Sequence, residues 1–202
     1  MANNQQELDT DIRKLKGLVK ELHLDVTDGK FVPSKVFQFD FKLSKDFGYN
    51  THLMVNDPQG WIKKHGKKVQ AIIFHPEVLN EKETTDLIKE IKKQKKKVGL
   101  ALKPETKVSE IKQFLPNLDY LLVLTVHPGF YGAKFLPEPL KKIKLIKKNN
   151  PKIKIIVDGG MHPETIGQAA RAGADLFVSG SYTTKADNPK ESIKNLMNAI
   201  SK

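Results

Sequence analysis

Cysteine is absent from the 202 residues. That excludes a disulfide scaffold, a thiolate zinc site and a cysteine nucleophile together. Arginine is almost absent: Arg13 and Arg171 stand alone among 35 basic residues, the rest being lysine. Arginine is the favoured reader of base edges and of phosphate in bidentate geometry. Its scarcity therefore argues against nucleic-acid recognition, despite a formal net charge of +12. Lysine runs such as Lys95-Lys96-Lys97 and Lys141-Lys142 carry no interleaved aromatics on which bases could stack. The lysine excess reads as solvated surface, with steering of an anionic substrate or weak polyanion contact as its remaining uses. No apolar run approaches the roughly 20 residues that cross a bilayer, so no membrane span is expected. Residues 1–7 are polar and lack the apolar core of a secretory signal, which leads to the expectation of a cytoplasmic protein.

What is present is a repeating pattern. Apolar residues amount to only 39%, but they gather in short blocks, which separates the chain from disordered sequences. Strands are predicted at 22–26, 51–55, 71–75, 98–102, 121–126, 153–157 and 176–179. Amphipathic stretches at helical spacing lie between them. These are 8–19 (Ile12, Leu15, Val19), 84–93 (Leu87, Ile88, Ile91), 139–148 (Leu140, Ile143, Ile146), 163–172 and 190–200. The helix at 163–172 begins at Pro163 and is closed by Gly173. Alternating β and α elements imply a parallel sheet with right-handed crossovers. A single domain over 1–202 with the α/β fold of a (β/α)8 TIM barrel is expected, and an open doubly wound sheet is the competing architecture. A closed barrel needs eight strands, and only seven are legible. The missing one is the first.

Polar residues sit at the C-terminal ends of these strands. His23 and Asp25 alternate, so both point to one side. His52 interrupts an otherwise apolar strand, and Asp158 follows Ile155-Ile156-Val157. Two imidazoles and two carboxylates make a ligand set for a divalent ion such as Zn²⁺, Mn²⁺ or Fe²⁺. The plainer reading of each histidine alone is a hydrogen-bonded core residue, and Asp25 alone could cap a loop. Glycine turns follow three successive strands: Gly129 to Gly132, Gly159-Gly160, and Gly180-Ser181. Backbone N–H groups freed by such turns can cradle a phosphate, and in barrels that site falls after the last strands. Three ordinary tight turns are the alternative.

Together these segments resemble the ribulose-phosphate 3-epimerase family from about Leu8 to Ile200. The resemblance rests on Leu22-His23-Leu24-Asp25-Val26-Thr27-Asp28-Gly29-Lys30-Phe31-Val32-Pro33, His52-Leu53-Met54-Val55 and Phe74-His75-Pro76-Glu77. It continues through Gly99-Leu100-Ala101-Leu102-Lys103-Pro104-Glu105-Thr106, Val126-His127-Pro128-Gly129-Phe130, Val157-Asp158-Gly159-Gly160 and Ala172-Gly173-Ala174-Asp175. It implies a barrel isomerase of carbohydrate metabolism, of the pentose phosphate pathway, that interconverts D-ribulose 5-phosphate and D-xylulose 5-phosphate. It implies a divalent metal held by His23, Asp25, His52 and Asp158, with Asp25 and Asp158 also serving as the acid/base pair. The phosphosugar would be contacted by His52, Met54, Gly129, Phe130, Gly132, Gly159, Gly160, Gly180 and Ser181. Met54 reads equally as core filler. A related ketose phosphate such as allulose 6-phosphate, or a weakly active phosphosugar-binding barrel, are the alternative functions.

Four features depart from the family pattern. No strand with a serine-bearing turn precedes the helix near Leu8. An edge left open there needs a cover, so a homo-oligomer is expected, with the polar N-terminus as the other candidate. Thr27 and Leu124 stand where methionines are usual. The loop reads Gly129-Phe130-Tyr131-Gly132-Ala133, where the family favours a second glycine and a glutamine. Phe37, Phe39 and Phe41 alternate where a helix is usual.

Overall fold

The computed structural model describes residues 2–129 and 132–201. It comprises two compact units, Met1–Leu100 and Ala101–Lys202.

The first unit begins with helix α1 (Gln5–Leu15), whose N-terminus is capped by the Asn4 side chain accepting from the Glu7 N–H. Its buried stripe is Leu8, Ile12 and Leu15, one turn apart. The expected helix at 8–19 thus starts and stops earlier. It ends because Lys16 is extended and Gly17 takes φ +77. Strands β1 (Glu21–Asp28), β2 (Lys35–Val36), β3 (Gly48–Met54), β4 (Ala71–Phe74) and β5 (Lys97–Leu102) follow. Helix α2 (Pro58–His65) lies between β3 and β4, and α3 (Glu81–Lys93) between β4 and β5. The α3 start is a capping box between Asn80 and Glu83. Its face of Leu87, Ile88 and Ile91 is buried, and each such side chain contributes about 1.5–3 kcal/mol.

Four strands of this unit pair in parallel and in chain order, β1-β3-β4-β5. Strand β2 is different: it is a two-residue antiparallel ribbon, with Thr27 opposite Val36 and Asp28 opposite Lys35. It raises the described strands to eight without supplying the missing first one. Among the described residues no strand precedes β1. The N-terminal segment bonds to residues 37 and 42 instead. Gln5 donates to the Lys42 carbonyl (3.0 Å) and accepts from the Lys42 N–H (2.8 Å), and the Phe37 N–H donates to the Ala2 carbonyl. There Phe37, Phe39 and Phe41 form an aromatic cluster, with ring centroids 5.3–6.1 Å apart, in place of a helix.

The second unit holds β6 (Tyr120–Leu124), α4 (Leu140–Asn149), β7 (Lys154–Asp158), α5 (Pro163–Ala172), β8 (Leu176–Val178), α6 (Ser181–Thr184) and α7 (Pro189–Ile200). Strand β7 pairs in parallel with β6 and with β8. Its interior residues Ile155, Ile156 and Val157 are buried, as in a parallel strand covered on both faces. Helix α5 has the expected limits, and Gly173 closes it at φ +102. It packs against α4 and α7.

Among the described residues the parallel strands run in chain order within each unit, with none of the reversal that defines a doubly wound sheet. Parallel ladders with strand-then-helix succession give the (β/α)8-barrel fold class.

Candidate active site and metal centre

The β1–β3 ladder builds the centre of the site. Its register sets Asp25 opposite His52, His23 opposite Asn50 and Thr27 opposite Met54. With side chains alternating along each strand, all six lie on one face. His52 Nδ1 is 3.3 Å from Asp25 Oδ1, and His23 Nε2 is 3.4 Å from the same oxygen. The His23 Nδ1–H donates to Asn50 Oδ1, so His23 Nε2 carries the lone pair. That Nε2 is buried and has no hydrogen-bond partner. A buried nitrogen lone pair left without a donor is costly unless a cation takes it. His52 is 0% exposed. Burial raises the pKa of the Asp25 carboxyl, but the neighbouring imidazoles of His23 and His52 outweigh this and hold it well below the usual carboxylate range. His23, Asp25 and His52 offer ligand atoms within 4.8 Å of one another, a group that could hold a divalent metal ion.

The loop after β1 fixes the mouth of this ladder. Asp28 Oδ1 accepts from the N–H groups of Lys30 (2.8 Å) and Phe31 (2.9 Å), and Asp28 Oδ2 accepts from Asn56 (2.8 Å), just past β3. One carboxylate thus ties together the C-terminal ends of two strands. Met54 is buried on the same face as His52.

His75 and Glu77, of the Phe74-His75-Pro76-Glu77 motif, also reach this site and have no role legible in the sequence. His75 follows β4 and is 0% exposed. Its Nε2 lies 2.9 Å from His52 Nε2, and its Nδ1 lies 3.0 Å from Glu77 Oε2. The sequence signal is the same as for His23 and Asp25: an imidazole and a carboxylate two residues apart at the end of an apolar strand.

In the second unit Asp158 is the last residue of β7. Its carbonyl accepts from the Thr125 N–H (2.8 Å) and hydroxyl (3.0 Å), which fixes the strand end. Gly159 (φ +110) and Gly160 (φ +65) make the turn that follows. A Cβ at Gly159 would stand 2.6 Å from Val126 Cγ2, so the close approach requires glycine. The Gly160 carbonyl accepts from the Thr165 hydroxyl in the first turn of α5. Gly129 and Gly132 both have positive φ, while Phe130, expected beside the phosphate, lies outside the described residues. Gly180 precedes α6, and Ser181 is its first residue.

These elements define a barrel fold with a metal-competent group at its strand ends, and solved structures share that fold. The crystal structure of KGPDC from Streptococcus mutans matches with a TM-score of 0.69 at 15% identity, covering 99% of this chain and 93% of that one. The sequence comparisons narrow the class. The chain belongs to the ribulose-phosphate 3-epimerase family, whose family description matches residues 1–184. It is 34% identical to the ribulose-phosphate 3-epimerase of Schizosaccharomyces pombe, over 100% of this chain and 90% of the relative. It is 36% identical to the cytoplasmic isoform of ribulose-phosphate 3-epimerase from Oryza sativa subsp. japonica, over 89% and 82%. The enzyme class is therefore that of carbohydrate epimerases, and membership supports an epimerase of pentose phosphates. Among the described residues no helix is long and apolar enough to cross a membrane.

Proposed function

We propose that the protein interconverts D-ribulose 5-phosphate and D-xylulose 5-phosphate by removing and returning the proton at C3. The convergence of His23 Nε2, His52 Nδ1 and the Asp25 carboxylate carries this reading, because it supplies a cation site beside a carboxylate kept ionised. Asp158 is the fourth ligand, and Zn²⁺, Mn²⁺ or Fe²⁺ suits such an imidazole–carboxylate set. When bound, the ion supplies Lewis-acid stabilisation of the negative charge that builds on the substrate oxygens.

The remaining chemistry belongs to side chains. Inversion at C3 needs a base on one face of the sugar and an acid on the other. Asp25 and Asp158 fill these roles and exchange them with reaction direction. Met54 lends the pocket an apolar wall beside His52. The phosphate is held by the loop from Gly129 through Phe130 to Gly132, by Gly159-Gly160 and by Gly180-Ser181, using backbone N–H groups. A homo-oligomer in the cytoplasm completes the reading, and for the location alone the rice relative, designated a cytoplasmic isoform, gives support.

A coupled assay with ribulose 5-phosphate tests it, run with and without chelator and restored with each metal in turn. Turnover abolished by chelator and restored by one ion is expected. Deuterium exchange at C3 should vanish in both Asp25→Asn and Asp158→Asn. Exchange at the original rate in both variants would remove the acid/base assignment. Faster turnover of allulose 6-phosphate than of ribulose 5-phosphate would overturn the substrate.

A further inference from the structure

We propose that Lys142 is a positioning residue: its ammonium, held by the carbonyls of Lys103 and Pro104, fixes the loop between β6 and α4 where the glycine N–H groups of that loop meet a phosphate. The exposed Glu105–His127 pair is a second, weaker tie on the same loop. The proposal rests on the phosphosugar reading above, and every residue it uses belongs to the second unit.

The loop spans residues 125–139. Connections from strand to helix in such folds usually take about 2–6 residues, and a much longer one needs anchors to hold a single shape. Its root is closed by the Leu136 N–H, which donates to the Thr125 carbonyl at 2.7 Å. The Thr125 hydroxyl donates to the carbonyls of Asp158 (3.0 Å) and Gly159 (2.6 Å), which ties that root to the glycine turn after β7. Two further ties reach outward, and both end on the turn 103–105. Near the start of the loop, His127 Nδ1 lies 2.9 Å from Glu105 Oε1. Just past its end, Lys142 Nζ donates to the carbonyls of Lys103 and Pro104, each at 2.8 Å. One turn thus holds both ends of the loop. The link from Lys142 back to the loop is stiff. The N–H groups of Leu140, Lys141 and Lys142 donate to the carbonyls of Pro137, Glu138 and Pro139, and both prolines have a fixed φ.

The two outward ties are unequal. The His127 and Glu105 side chains are 67% and 62% exposed, and an ion pair in water is weak and screened by salt. Lys142 is half-buried, and its bonds are charge-assisted. It stands in the first turn of α4, where the helix dipole disfavours a cation, and that turn has neither an acidic residue nor a side-chain cap. Only the two carbonyls outside the helix offset that cost, so the ammonium serves the loop rather than the helix. A cradle of N–H groups binds an anion tightly when its shape is set beforehand.

The test uses the full chain and two readouts: the Kd of inorganic phosphate from a ³¹P NMR titration, and KM and kcat with ribulose 5-phosphate. Lys142→Met keeps the stem and loses the ammonium. It should raise the phosphate Kd and KM together by about 10-fold, with kcat within about 2-fold of wild type. Lys142→Arg, which keeps a charged donor, should recover part of the loss. Lys144→Met removes the same charge from an exposed position on α4 and should change neither constant. Glu105→Gln should raise both by about 2–3-fold at low salt, a difference that vanishes in about 0.5 M NaCl. Should Lys142→Met fail to fold, Lys142→Gln takes its place with the same expectation. Unchanged phosphate Kd and KM in the Lys142 variant would overturn the proposal. So would an equal loss in Lys144→Met, because net charge would then be the cause. Wild type that binds phosphate but leaves ribulose 5-phosphate unconverted would remove the substrate reading alone, and the phosphate Kd values would still decide Lys142. Wild type that binds no phosphate would overturn both.

Discussion

Asp28 shows how much one carboxylate can organise. It takes three backbone N–H groups, two from its own loop and one from the segment after β3. Burial raises its pKa, and these three bonds outweigh that and lower it. Replacing it with alanine leaves those donors to water or to nothing. Asp28→Ala should lose about 1–2 kcal/mol in urea unfolding, and Asp28→Asn, with one acceptor left, should fall between. Equal stability of all three proteins would show that the loop does not depend on these bonds. The residues of the proposed chemistry differ in how visible they are. His23 and Asp25 are legible because a strand has a period of two, and a polar pair at that spacing in an apolar run has a direction. His52 is legible as an imidazole in a buried strand. Asn50 and His75 are not legible as partners. Asn50 looks like a strand-edge amide and His75 like an ordinary histidine, until pairing between strands sets them against His23 and His52.

At the scale of elements, Asp175 joins three pieces of the second unit. It accepts from Lys147 of α4 (2.6 Å), from the Ile155 N–H of β7 (2.8 Å) and from Lys154 (3.3 Å). Burial raises its pKa, but the Lys147 and Ile155 bonds outweigh it, so the folded value lies below the usual 3.8. The unfolded chain then binds the proton more readily than the native one. The stabilisation is complete above about pH 4 and is lost as the pH falls through the folded value. Asp175→Asn should therefore cost about 1–2 kcal/mol at pH 7, and the gap to wild type should be narrower at pH 3. Urea titrations at the two pH values check this, and a gap that stayed constant would show the charge to be irrelevant. Helix α5 was legible to the residue, because Pro163 and Gly173 mark its ends. Helix α2 was not predicted. It has only eight residues, with Gly60 inside, although the Asp57 cap and Pro58 at its first turn are a start signal. Strand β2 was beyond reach, since two residues carry no period.

At the scale of the whole molecule, the proposed ion links function to stability. A ligand that binds only the native state stabilises it by about 2.7 kcal/mol at 100 times its Kd. For a chain of this size that corresponds to roughly 5–10 °C in Tm. Zinc should therefore raise the Tm of wild type by this order, chelator should reverse the rise, and His52→Ala should abolish it. A zinc-induced rise that survived His52→Ala would place the ion elsewhere. The +12 charge bears on none of this directly: lysines set the solubility and the encounter with anions, not the fold.

By itself the amino-acid sequence determined the alternation of apolar strands and amphipathic helices and the identity of three side chains at the centre of the site. These follow from spacing along the chain, which local backbone geometry converts into direction. The tertiary structure alone decided the register that sets Asp25 beside His52 and the contact that brings His75 to the far side of the His52 ring. Those depend on strands meeting across tens of residues.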